Sequence, residues 1–383
     1  MALKLFIGAD LVPTKSNYSL FDDVEELVGK ELIDLLHDAD FTAFNLEVPL
    51  TKSINPIKKC GPALIADPAS IEGIKKINPH FFTLANNHIL DQGVEGLRAT
   101  MKLLKEHGIS YAGAGENLDE ASKPFIWEKN GVKVGIYCCA EREFSIATSD
   151  RAGANPFDPF DPFESLDHIV ELKAKCDRVI VLYHGGKEHY RYPSPYLQKA
   201  CRKIIEKGAD LVVCQHSHCI GCKEMWKQGT IVYGQGNFLF DYSESFYWNT
   251  SLLLNLIIDE KALDWKIDYI PICKMKNKVR IAQGDDAQKI LSDFESRSRA
   301  ILKEGFIETQ YAQFANSMIN NYYGAFSGAI TRNLIFRILN KLSGHRLQVL
   351  FCKMRYKLRD KLALQNFIEC EAHRELLLRG LKN

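Results

Sequence analysis

Apolar residues gather in short dense runs along the first two thirds of this chain, and the stretches between several of them carry apolar positions every three or four residues. Dense runs of about 4–8 residues predict buried strands, whereas the three-to-four spacing predicts helices with one apolar face. On this basis "KLFIGA" (4–9), "FTAFNLE" (41–47), "FFTLANN" (81–87), "KVGIYCC" (133–139), "RVIVLYHGG" (178–186), "DLVVCQH" (210–216) and "TIVYGQGN" (230–237) are strands. "GVEGLRATMKLLKEHG" and "SPYLQKACRKIIEKGA" are helices between them. Alternation of the two patterns predicts a layered α/β domain. After "KIDYIPICKM" and a break at Gly284 the pattern turns helical, with "DFESRSRAILKEGF" and then a long stretch from Thr331 to Leu381. The expected division is an α/β domain over residues 1–284 and a helical region over 285–383.

Composition narrows the class. With 383 residues and ordinary apolar and charged fractions, the chain is long enough for one large domain and an appendage. The balance of 49 Lys and Arg against 48 Asp and Glu gives no nucleic-acid signature. The 11 cysteines are odd in number and follow no framework spacing, which fits reduced thiols in a cytoplasm. "CIGC" (219–222) is a lone pair and reads as core or loop thiols. "MALKLFIGADLVPT" reads as a buried first strand, not a signal peptide, since Asp10 interrupts it and no small-residue cleavage site follows. No apolar run approaches the ~18 residues of a membrane span. A soluble cytoplasmic protein is expected.

The helical region alters that expectation in one respect. Arg332, Arg337, Lys341, Arg346, Lys353, Arg355, Lys357, Arg359 and Lys361 are opposed only by Asp360 in their stretch, and Leu334, Ile335, Ile338, Leu339, Leu342, Leu347, Leu350 and Phe351 interleave with them. The plainer and preferred reading is an amphipathic helix pair packed on the α/β domain. The sharper reading is attachment to an acidic polymer or to an anionic membrane surface, which would hold the protein peripherally at the inner face of the membrane.

Chemistry concentrates where the strands end, the place where open α/β sheets bind ligands. Asp10 follows the first run, Glu47 ends the second, Asn87 and His88 end the third, His184 lies in the fifth, and His216 and His218 close the sixth. A single strand-end histidine is ordinarily a loop residue, but the joint set of imidazole, carboxylate and amide oxygen suits Zn, Mn, Fe or Co, with a shared carboxylate able to bridge two ions. "QHSH" adds weight because alternate residues of a strand share one face. No low-complexity segment or repeat is evident.

In chain order, "GAD", "NLEVPLT", "LANNHILDQGVEGL", "GISYAGAGENLDEA", "VLYHGGKEHYRYPSPYLQ", "GADLVVCQHSH" and "IVYGQGNFLFD" make the sequence resemble the CapA-type capsule-synthesis family, also called poly-γ-glutamate synthesis proteins, from about Leu3 to about Asp241. The resemblance implies the fold of calcineurin-like metallophosphatases, an α-β-β-α sandwich, here with an α-helical C-terminal extension. It implies Asp10 as the first metal carboxylate, Glu47 as the bridging one, Asn87 as the amide ligand, and His184, His216 and His218 as histidine ligands for one or two divalent ions (Mn, Zn or Fe). His88 falls at the residue that meets the leaving group or anion, while Asn86, Glu188, Glu224 and Asn237 are the expected substrate contacts. One departure stands out: phosphatases of this fold usually open with Asp-x-His, whereas Asp10 is followed by Leu11 and Val12, so one of two metal positions is expected to be weak or empty.

The chemistry so implied is hydrolysis by metal-activated water, with His88 as general acid and Asp91 orienting that imidazole and keeping it protonated. Asp91 has an equally weighted alternative as the cap of the helix near "GVEGL". The expected substrate is a phosphoester, an anionic polymer or a γ-glutamyl amide, in capsule or exopolymer biosynthesis; a non-catalytic subunit holding a polymer or a synthase is the further alternative. Nucleic acid is not expected.

Overall fold

The computed structural model describes residues 2–157, 163–327, 334–369 and 373. Arg332 and the predicted helical stretch beyond 373 lie outside them, as do residues 370–372. The chain divides into two compact units, Met1–Ile307 and Glu308–Asn383.

The first unit holds strands β1 (Ala2–Leu11), β2 (Phe41–Leu46), β3 (Phe81–Thr83), β4 (Ser110–Ala112), β5 (Ala114–Gly115), β6 (Phe125–Lys129), β7 (Val132–Ala140), β8 (Gly153–Ala154), β9 (Arg178–His184), β10 (Leu211–Gln215), β11 (Lys223–Trp226), β12 (Gly229–Tyr233), β13 (Asn237–Leu239), β14 (Thr250–Asp259), β15 (Trp265–Met275) and β16 (Lys278–Ile281). One sheet runs β16-β15-β14-β1-β2-β3-β4, with β13 also paired to β1; the second runs β11-β12-β10-β9-β7-β6; β5 and β8 form a small pair. The central strands β1 to β4 are parallel, as are β7, β9, β10 and β12.

Period-two alternation sorts the second sheet between two cores. Val134, Ile136 and Cys138 of β7 and Ile180 and Leu182 of β9 join the core shared with the first sheet. Tyr137 and Cys139, with Val179, Val181 and Tyr183, point the other way, into a core closed by Ile169 and Leu172 of one helix and Cys201, Ile204 and Ile205 of another. Leu32, Ile74, Leu97 and Leu104 supply helical partners for the first sheet. The layers are thus helix, sheet, sheet, helix, as expected.

Two runs end earlier than their apolar pattern suggests. The third strand stops at Thr83, so "LANN" is loop, free to carry side chains away from the pleat. The run 230–237 breaks at Gly234 and Gly236, with φ of +106° and +84°. Glycine adopts those angles without the Cβ penalty other residues carry. The break takes the chain from the second sheet into the first, where Asn237 pairs with Asp10.

The first compact unit runs past Gly284 to Ile307. Helix Gly284–Ala300 buries Ile290 and Phe294 in the shared core, and Ile301 and Ile307 join the second core. Helical spacing marks a helix but does not say what it packs on. The second unit holds helices Leu334–Leu342, Arg346–Arg355 and Leu358–Glu369, together with most of Phe306–Phe326. No helix among the described residues is long and apolar enough to cross a membrane.

Candidate metal centre

Strand register assembles the site. Asp10 lies near the end of β1 with Asn45 of β2 on one side and Asn237 of β13 on the other. Glu47 follows β2, Asn87 and His88 follow β3, His184 ends β9, and His216 and His218 follow β10. All of these side chains are buried. His216 and His218 do not converge through strand alternation, because β10 ends at Gln215. They sit in a loop with left-handed backbone, φ +83° and +51°, a conformation that costs a non-glycine residue of order 1–3 kcal/mol and persists where surroundings enforce it.

Ligand atoms crowd around His184. Its Nε2 lies 3.0 Å from Asn87 Oδ1, 3.1 Å from His216 Nδ1 and 3.3 Å from Glu47 Oε1. Donor atoms bound to one ion at about 2.0–2.1 Å stand roughly 3.0–3.4 Å from each other, so these spacings match the edges of a coordination shell. A second group joins through Glu47: one ligand atom each from Glu47, His216 and His218 fall within 4.8 Å of one another, and His218 Nδ1 is 3.5 Å from Asp10 Oδ2. Both Glu47 oxygens and Asp10 Oδ2 are buried without a hydrogen-bond partner. Buried carboxylate oxygens rarely remain unpaired, and a cation would satisfy all three. The donor set therefore fits a divalent ion, and the Asp10 and His184 halves meet at Glu47.

Asn45, absent from the sequence expectations, ties the halves together. Its Nδ2 donates to Asp10 Oδ1 at 2.8 Å and lies 3.1 Å from His184 Nδ1. At the Asp-x-His position Val12 is buried and offers only its backbone N–H, donated to Leu239 O.

Charge reflects this crowding. Burial pulls the His218 imidazole down, but Glu47, Asp10 and Asn237 outweigh it and hold it at about 9 in the ion-free protein. Burial also pushes Glu47 up, yet His218 and His184 bring it below the usual carboxylate range. Burial and the neighbouring His184 hold His216 well below its ordinary value. The stability that protonated His218 contributes is complete below its unfolded value near 6.5 and is lost as pH rises through about 9. Ion-free protein is expected to lose denaturant resistance across that window while its metal uptake improves, because coordination displaces the His218 proton. Urea midpoints and metal titrations at pH 6 and 9 check both directions.

Beside the cluster lies a buried trio. His88 Nδ1 is 2.6 Å from Asp91 Oδ2, Leu64 N donates to the same oxygen at 2.6 Å, and Lys59 Nζ pairs with Asp91 Oδ1 and lies 3.2 Å from His88 Nδ1. The Lys59 side chain is only 4% exposed. Helix Gly93–Glu106 has Gln92 at its N-cap and no side-chain cap bond, so Asp91 orients His88 and does not cap. The Asp91 carboxylate is shared between the His88 ring and the Lys59 ammonium. Lys59 sits in a loop beside another lysine, Lys58, and only the fold distinguishes them.

The expected substrate contacts divide. Glu188 is part-exposed, with Oε1 4.0 Å from His216 Nε2, at the edge of the centre. Asn237 Oδ1 lies 2.9 Å from His218 Nδ1 and its amide donates to Trp248 O, so it positions a ligand. Asn86 is wholly engaged: its amide donates to Asn45 Oδ1 and Leu46 O, and its oxygen accepts from His88 N. It shapes the loop, with both amide hydrogens used within the protein. Glu224 is engaged elsewhere. Arg202, Gln198 and Tyr233 take its oxygens on the helix-covered side of the second sheet. Glu224→Ala is expected to cost about 1–3 kcal/mol by leaving the buried Tyr233 hydroxyl and part-buried Arg202 without their acceptor while metal content stays unchanged, measurable by denaturation and elemental analysis. Trp248, unforeseen, packs its ring 5.0 Å from His218, and Arg191 lies over exposed Tyr247 at 3.9 Å.

Residues 7–242 match the family described as "Bacterial capsule synthesis protein PGA_cap". The chain is similar to "Capsule biosynthesis protein CapA" of Bacillus anthracis, 30% identical over 222 residues covering 56% of this chain and 54% of that protein. It is similar also to "PGA biosynthesis protein CapA" of Bacillus subtilis (strain 168), 31% identical over 209 residues covering 53% and 54%. It spans about half the length of these curated relatives. Among solved structures, a novel phosphatase from Mycoplasma pneumoniae is similar with a TM-score of 0.46 and 13% identity, over 73% of this chain and 95% of that one. Likeness at that level bears on neither substrate nor reaction.

Proposed function

The chain belongs to the bacterial capsule synthesis protein family, and on that premise we propose that it is a metal-dependent hydrolase of phosphoesterase type acting in the assembly or remodelling of a capsule or exopolymer. The observation that carries this reading is the set of unpartnered buried oxygens of Asp10 and Glu47 among Asn87, His184, His216 and His218. Those residues would hold one or two divalent ions of the Mn, Zn or Fe kind. A bound ion supplies Lewis acidity at a phosphoryl or acyl oxygen and lowers the pKa of water toward ~7.

The chain's own groups do the rest. Asp91 fixes the His88 ring through Nδ1, leaving Nε2 to hand a proton to the departing oxygen or nitrogen. Lys59 holds the Asp91 carboxylate in place and neutralises it, so the ring is oriented without a net buried negative charge. Asn45 and Asn237 fix the positions of Asp10, His184 and His218.

A second reading makes the substrate a γ-glutamyl amide. Two observations support it: the name of the Bacillus subtilis relative, and Arg191 on Tyr247 beside Trp248, since a stacked guanidinium keeps its in-plane N–H edge for a carboxylate. The test is turnover by metal-loaded protein of aryl and alkyl phosphoesters against γ-glutamyl peptides. Phosphoester turnover supports the first reading and γ-glutamyl cleavage the second. Tight metal binding with turnover of neither class overturns both in favour of a subunit that holds a polymer or a synthase.

A further inference from the structure

We propose that the C-terminal helical unit is a membrane-surface anchor, lying in the interface of an anionic bilayer. Two of its helices turn apolar side chains to solvent and bury amides, although Cys352 and Tyr356 are buried as well. On helix Leu334–Leu342 the solvent-facing side chains are Leu334, Ile335, Ile338, Leu339 and Leu342, exposed by 67%, 69%, 52%, 48% and 78%. At about 100° per residue they span an arc of about 140°. The opposite, buried side carries Asn340.

The next helix, Arg346–Arg355, repeats this arrangement. It buries Gln348 and Cys352 and turns Leu350 and Met354 outward, 56% and 64% exposed. Where the helices meet, the interior is a polar network. Gln348 N donates to Asn340 Oδ1 at 2.9 Å, Asn340 Nδ2 to Gln348 Oε1 at 3.1 Å, and Gln348 Nε2 to Asn320 O at 2.8 Å. Water-facing leucine over a hydrogen-bonded polar interior suits a unit whose outer surroundings are apolar.

Charge identifies those surroundings. Residues 334–369 hold eight Lys and Arg against two carboxylates, Asp360 and Glu369, in a chain whose net charge is +1. On these two helices cations border one edge of the apolar arc: Arg337 and Lys341 on the first, Arg346 and Lys353 on the second. Long basic side chains beside an apolar stripe can reach up to lipid headgroups while the stripe lies among acyl chains. A second copy of the chain is a poorer occupant, since it would set one strongly basic stretch against another. Spanning is not available to these helices, none of which is long and apolar enough.

The test is co-sedimentation of the full chain with vesicles of phosphatidylcholine alone or with phosphatidylglycerol added, at low and high salt. Binding is expected only to the anionic vesicles, and to fall as salt rises. A basic residue near such a surface is worth roughly fivefold in affinity, so Lys341→Gln with Lys353→Gln is expected to weaken binding roughly 25-fold. Leu342→Trp is expected to add a fluorescence component that shifts to the blue on vesicle addition. Leu342 is so exposed that Leu342→Glu leaves the fold intact and is expected to abolish binding. The proposal is overturned if the intact chain ignores anionic vesicles at low salt, or if it binds them with the added Trp unshifted. It is also overturned if Leu342→Glu splits a dimer while vesicle binding persists.

Discussion

Replacing His216 or His218 is expected to remove metal and hydrolytic activity together while the fold survives. Changing a residue that merely supports a ligand costs about 10–100-fold in metal affinity, and deleting a ligand costs more. The glycine variant separates ligand loss from misfolding. His216 is held at φ +83°, where glycine fits without strain, so His216→Gly is expected to resist denaturant at least as well as the ion-free native protein. Its metal content is nevertheless expected to fall sharply. Stability that drops along with metal would show that the His216 side chain supports the fold instead.

The strained loop also explains what the sequence showed and what it hid. Asp10, Glu47, His184 and the His216–His218 pair were legible because dense apolar runs end at them, and the chemistry of a parallel sheet gathers at such ends. How the two loop histidines reach one site was not legible. Alternation along a strand would bring them to one face, whereas the chain leaves the strand at Gln215 and turns through left-handed angles. Asn45 was hidden inside an apolar run, where an amide gives no periodic signal. Lys59 was hidden in a loop of ordinary composition, and its role arises only when that loop folds onto Asp91. Glu224 was singled out only because it falls where the family has a carboxylate, and β11 turns its side chain toward Arg202 and Gln198. In the C-terminal helices the spacing of apolar residues was plain, while the side on which they would lie was not, since periodicity defines a stripe and not its direction.

His88→Ala is expected to keep the metal and lose rate. Its Nδ1 is engaged by Asp91 and lies beside Lys59, and no ligand atom of the cluster stands among its hydrogen-bond partners. Loss of a general acid typically costs about 10²–10⁴-fold. The deficit is expected to be smallest for aryl phosphates and other good leaving groups, which depart with little protonation. Asp91→Asn is expected to give a milder loss, because the ring keeps its place but loses its anionic partner. It also leaves the Lys59 ammonium buried without a counter-charge, so this variant is expected to lose stability that His88→Ala retains. Equal rate losses on activated and unactivated substrates would remove the acid role from His88. Metal lost from His88→Ala would make it a ligand.

The central claim is that Asp10, Glu47, Asn87, His184, His216 and His218 form a metal centre, and elemental analysis tests it most directly. The full chain is purified without chelator, reloaded with Mn, Zn or Fe, passed through a desalting column and assayed for bound ion. At least one tightly held ion per chain is expected, absent from His216→Gly treated in the same way. Native protein that leaves the column without any of the three metals would contradict the account.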